Sequence, residues 1–125
     1  MKKIAVSVLD ANGLDAPVSP HFGRCPYFTV VEMEGQEVLT VEAVVNPYYA
    51  NHSPGEVPSF IHDLGVQVML SGGMGGRAVT FFQQYGIEPA TGAQGTVRES
   101  LTQYVGGNLR GADPCAESVE HGHDS

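Results

Sequence analysis

Apolar residues along this chain first alternate at strand spacing and then recur at helical spacing. Residues 4–8, 27–33 and 38–45 are β-prone runs, the last two joined through Glu34-Gly35-Gln36, the spacing of a hairpin with glycine in its turn. The first half therefore predicts a small antiparallel meander. A loop rich in Asn, Gly, Pro, Ser and Asp interrupts it over residues 10–23.

The pattern changes at Ser53-Pro54-Gly55-Glu56, where Ser as N-cap, Pro in the first helical position and Glu in the third make a capping box. Val57, Phe60, Ile61 and Leu64 then mark one face of a short helix, and Gly65 supplies its stop. The same grammar repeats downstream. A strand over residues 66–70 precedes a helix over 77–85 ended by Gly86. A strand over 87–90 then precedes a helix capped by Thr96 and Glu99 and carrying Val97, Leu101, Tyr104 and Val105. Two strand-to-helix units favour parallel pairing, so the class is α/β with about three helices.

At 125 residues, 42% of them hydrophobic, the chain fits one domain. We place it over residues 1–109, followed by an acidic, His-containing tail over 110–125. Fourteen acidic residues face six basic ones for a net charge of -8, which disfavours nucleic acid as a partner. No apolar run approaches membrane-spanning length, and the apolar stretch after Met1-Lys2-Lys3 is too short for a signal peptide, so a cytoplasmic location is expected. Cys25 and Cys115 form no C-x-x-C pattern and read as free thiols.

Two segments carry candidate chemistry. Ser71-Gly72-Gly73-Met74-Gly75-Gly76-Arg77-Ala78 joins a predicted strand to a predicted helix, so its backbone N–H groups and the helix N-terminus suit an anion. Gly73-x-Gly75-x-x-Ala78 also matches a dinucleotide fingerprint, with Glu88 as the ribose acid, while the Gly-Lys-Ser/Thr of a P-loop is missing. A plain close-packing turn is the third reading. In Ser19-Pro20-His21-Phe22-Gly23-Arg24-Cys25-Pro26, an imidazole, a guanidinium and a thiol share five positions, although Pro and Gly could simply shape the turn. His21 and Cys25 are the candidate metal ligands, with His52 a weaker one.

Asp10 and Asp15, helped by Glu32 or Asp63, could bind a metal for hydrolysis, but they sit in a solvated loop. His62 falls off the apolar face of its helix. Cys115, His121 and His123 fit no closed zinc site. Spacing identifies no nucleophile or acid–base pair, so a binding protein is expected rather than an enzyme. A nucleotide-using enzyme and a regulatory interaction module are the competing readings.

Taken together, Ser19-Pro20-His21-Phe22-Gly23-Arg24, Asn46-Pro47, Leu64-Gly65-Val66 and Gly72-Gly73-Met74-Gly75, in this order, resemble the dinitrogenase iron-molybdenum cofactor biosynthesis family. Small stand-alone members and the molybdenum-copper orange-protein group belong to that family. The resemblance spans residues 3–109. It implies a ribonuclease H-like fold, a five-stranded mixed sheet with helices on its faces, and carriage of an iron-molybdenum or molybdenum-copper sulfide cluster or its precursor. It also implies partners that assemble or accept such clusters, with the chain itself a monomer or weak homodimer, and it makes His21 the ligand that matches by motif. The expected site is His21, Phe22, Gly23 and Arg24 with Gly72, Gly73, Met74, Gly75, Gly76 and Arg77. A helix terminus and two guanidiniums together supply about 4 to 8 kcal/mol, whose upper end corresponds to roughly micromolar affinity, as suits a carrier that hands its cargo on.

Overall fold

A computed structural model describes residues 2–49 and 55–111. In chain order they form β1 (Lys2–Val8), a short 3₁₀ turn (Gly13–Asp15), β2 (Tyr27–Glu34), β3 (Glu37–Val45), α1 (Glu56–Asp63), β4 (Val68–Leu70), α2 (Gly76–Tyr85), β5 (Glu88–Thr91), α3 (Val97–Val105) and β6 (Arg110–Gly111). One mixed sheet runs in the order β3-β2-β1-β4-β5-β6. The β1/β2 and β2/β3 pairs are antiparallel, as the meander predicts, whereas β1/β4 and β4/β5 are parallel.

The expected five strands and three helices are present, with one addition. Arg110–Gly111 pairs antiparallel with β5, so the sheet takes in two residues expected in the tail. Residues 112–125, with Cys115, His121 and His123, lie outside the described residues, as do Ser53, Pro54 and His52.

Alternation along the strands splits the core between the two faces of the sheet. Ala5, Phe28, Val30 and Met69 pack with Val57 and Ile61 of α1 and with Val79 and Phe82 of α2. Ile4, Val6, Val8, Val31, Met33, Val68 and Leu70 pack with Val97 and Leu101 of α3. At the hairpin, Gly35 takes φ 62°, a left-handed conformation that favours glycine. The edge strand β3 leaves Leu39, Val41 and Val45 exposed.

Helix α1 begins only at Glu56, with Gly55 at φ 90° as its N-cap where Ser53 was expected, whereas the capped end of α3 and the glycine stop of α2 follow the local signals of the sequence. Thr96 Oγ1 accepts from the Glu99 N–H at 3.2 Å, and the Thr96 N–H donates to Glu99 Oε1 at 2.9 Å, closing the capping box of α3. Gly86 ends α2 at φ 75°. The strand expected from residue 66 begins only at Val68, with Val66 buried in the connection. Among the described residues, no helix is long and apolar enough to cross a membrane.

Candidate functional site

Because β1 and β4 are parallel neighbours, paired Val6 to Leu70, the loops that follow them leave from the same edge of the sheet. They are bonded to each other through backbone. The Gly72 N–H donates to the Ser19 carbonyl at 3.0 Å, and the Phe22 N–H donates to the Gly73 carbonyl at 3.0 Å. The segment after β5 joins them, with the Gly92 N–H donating to the Gly72 carbonyl at 3.2 Å.

Proximity, rather than unusual backbone torsion, explains the first two glycines of the turn. Gly72, Gly73, Gly75 and Gly76 all avoid positive φ. A Cβ on Gly72 would lie 2.8 Å from Pro20 Cα and 2.9 Å from the Ser19 oxygen, and one on Gly73 would lie 2.9 Å from the Pro20 oxygen. Only a residue without a side chain lets the two backbones approach this closely.

The turn runs directly into α2, whose N-cap Gly75 offers no side-chain cap. Its carbonyl accepts from the Val79 N–H at 3.1 Å, beginning the helical ladder. The N–H groups of Gly73, Met74, Gly75, Gly76, Arg77 and Ala78 have no backbone or side-chain acceptor among the described residues. Such a row carries the partial positive charge of the helix terminus. His21 and Arg24 on one loop and Arg77 in the first turn of α2 are exposed, and neither arginine forms an ion pair among the described residues.

The remaining expected site residues face inward. Met74 is buried in the core beside Val79 and Phe82, so it brings only backbone to the edge. Phe22 is half-buried, its ring edge-on to Phe82 at 5.1 Å. Gly23 turns the chain at φ 89°. Cys25 is fully buried, and Asn46 Nδ2 donates to its carbonyl at 2.8 Å, tying the segment after β3 to this loop.

Burial pushes the Cys25 thiol up to about 11, only partly offset by hydrogen bonds. A soft metal reaching Cys25 would have to open the core and ionise a thiol that holds its proton. The folded value lies above that of the free thiol, so the contribution is intact below pH 9 and is lost as pH rises through about 11. Urea denaturation should show on the order of 2 kcal/mol lost between pH 8 and 10.5 from this group. Cys25→Ala should flatten that part of the profile, and an unchanged profile would refute the assignment.

The competing readings fare differently. Glu88 opens β5 at the end of the sheet opposite the glycine turn, paired with Val68, and accepts from Tyr104 Oη at 2.8 Å. A ribose acid belongs at the other end of that strand, so the dinucleotide fingerprint lacks its acid. Asp10 accepts from the Asn12 N–H at 3.0 Å, and Asp15 pairs with Arg98 at 3.4 Å. Among the described residues, no group of three or more His, Cys, Asp or Glu side chains could hold a metal ion. His62 is exposed and stacks on Tyr85 at 4.4 Å.

The sequence reading overlooked Ser7 and the hydroxyl of Ser71, both fully buried beneath the joined loops. A serine inside the apolar run Ile4-Ala5-Val6-Ser7-Val8 is the available signal, because a buried hydroxyl needs a partner.

The fold has counterparts among known proteins. A protein of uncharacterised function from Methanocaldococcus jannaschii is 32% identical over 111 residues, covering 87% of this chain and 90% of that protein. The crystal structure of the protein PH0822 superposes with a TM-score of 0.76 at 36% identity, covering 88% of this chain and 96% of that one. The apo form of the orange protein from Desulfovibrio gigas superposes with a TM-score of 0.78 at 28% identity, covering 90% and 93%. The family model described as dinitrogenase iron-molybdenum cofactor matches residues 2–107, and the chain belongs to that family.

Proposed function

We propose that this protein binds an anionic metal-sulfur cluster or its precursor, of the iron-molybdenum or molybdenum-copper sulfide type, and carries it to a cluster-assembly or acceptor protein. The row of N–H groups from Gly73 to Ala78, bonded through backbone to the loop bearing His21 and Arg24, carries this reading. A sulfide cluster is a bulky anion with soft faces. It suits backbone donors, guanidiniums and an imidazole better than it suits a site of hard carboxylates. His21 is the ligand of choice because it is exposed, whereas Cys25 is buried and protonated. Family membership and the likeness to the orange protein support the same reading.

One ligand bond together with electrostatic contacts gives reversible binding, as handover requires. The test is an anaerobic titration of the full-length protein with tetrathiomolybdate and copper, recording visible absorption and backbone amide shifts, with ATP and NAD in parallel. New absorption should appear with shifts confined to residues 21–24 and 73–78, and His21→Ala should weaken both. Shifts at residues 73–78 from a nucleotide alone would favour the enzyme reading instead. Absorption with no shift in either loop would overturn the proposed site.

A further inference from the structure

Beneath the joined loops, two buried hydroxyls form a chain that cluster binding itself does not call for. Ser7 Oγ lies 2.8 Å from Ser71 Oγ, and Ser71 Oγ lies 2.9 Å from the Gly73 carbonyl. A carbonyl oxygen only accepts, so the single Ser71 proton is committed to Gly73, and Ser7 must be the donor to Ser71. The direction of the chain is thereby fixed.

The same Gly73 oxygen accepts from the Phe22 N–H at 3.0 Å, so one atom ties the glycine turn both to the sheet and to the His21 loop. On the other side, the Ser7 carbonyl accepts from the Ser19 N–H at 2.8 Å. Ser19 Oγ in turn accepts from the His21 N–H at 3.2 Å and donates to the His21 carbonyl at 2.9 Å. Both loops are therefore anchored at Ser7, one through its hydroxyl and the other through its backbone.

In a trans peptide the carbonyl and the following N–H point in opposite directions. Holding the Gly73 carbonyl toward Ser71 and Phe22 turns the Met74 N–H the other way, at the start of the donor row leading into α2. We infer that Ser71, backed by Ser7, is a positioning residue that fixes the Gly73–Met74 peptide so that this row faces the bound anion. This inference rests on the cluster-carrier reading, but the clamp has a readout that needs no cargo.

The experiment compares full-length wild type with Ser71→Ala, Ser7→Ala and the double variant. It measures amide hydrogen exchange in the cargo-free protein and affinity for tetrathiomolybdate with copper. In Ser71→Ala, exchange at Phe22 should quicken about five- to tenfold relative to Val30 and Val68, and affinity should fall by a similar factor. Ser7→Ala should cost about two- to threefold, and the double variant should match Ser71→Ala, because Ser7 acts through Ser71.

Unchanged exchange and affinity in Ser71→Ala would overturn the inference. So would loosening spread evenly over the sheet, or a Ser7→Ala effect repeated in full on top of Ser71→Ala. Should Ser71→Ala fail to fold, Ser7→Ala decides alone, and unchanged Phe22 exchange refutes the clamp. If wild type binds no probe, the carrier reading falls, and exchange at Phe22 still judges the clamp.

Discussion

Gly72→Ala should separate the two loops and abolish the site. The added methyl would meet Pro20 Cα at 2.8 Å and the Ser19 oxygen at 2.9 Å, both backbone atoms that cannot swing aside as a flexible side chain does. Relief requires moving the turn and breaking the Gly72-to-Ser19 and Phe22-to-Gly73 hydrogen bonds. Overpacking of this kind costs about 1 to 3 kcal/mol, and each lost hydrogen bond adds about 1 kcal/mol. A fall in the urea midpoint equivalent to about 3 kcal/mol and loss of detectable tetrathiomolybdate binding are expected. Gly75→Ala is the control. Nothing lies within 4 Å of a Cβ there, and its φ of -71° suits alanine, so stability should hold within about 0.5 kcal/mol. A Gly72→Ala protein as stable as wild type would show that the loops do not need their close approach.

Arg24→Ala and Arg77→Ala should each weaken cluster binding about ten- to hundredfold, the worth of a charge-assisted contact at a site with few cations. The molecule carries six basic residues against fourteen acidic ones, so a cluster approaching it meets net repulsion that local cations must offset. Raising salt from 50 to 500 mM should weaken the wild type and narrow its gap from each variant, because exposed charges are screened. Arg98, on α3 and paired with Asp15 at 3.4 Å, is the comparison, and Arg98→Ala should change affinity less than twofold. If neither Arg24→Ala nor Arg77→Ala alters the dissociation constant, the anion is not held where we place it.

Local grammar made much of the fold legible. The hairpin at Gly35, the stop at Gly86 and the capping box of Thr96 and Glu99 each depend on a few adjacent residues, and each forms where the sequence indicates it. Less was legible where burial chose the outcome. Met74 sits in the glycine turn and looks like a soft wall for a cluster, yet its side chain belongs to the core. Cys25 resembles a ligand beside His21, but it is buried within the apolar core, and its proton is held to about pH 11. Residue type and spacing cannot reveal which side of a loop faces water.

Glu88 shows the same limit at longer range. Its separation from the glycine turn fits a dinucleotide acid, but the parallel pairing of β4 and β5 puts it at the far end of the sheet. Arg110–Gly111 follows a fading apolar pattern and still pairs with β5, because a strand edge offers backbone partners whatever the side chains are.

The chain alone determined five of its strands, its three helices and the presence of two chemically rich loops, because alternation, helical spacing and cap residues act over a few neighbours. Tertiary structure decided that the loops share an edge, that Gly72 and Gly73 are needed for contact rather than for torsion, and that Ser7 reaches Ser71. Those facts depend on strand order and on distances between residues about 50 to 65 positions apart, which pairing across the sheet sets and local sequence preference does not encode.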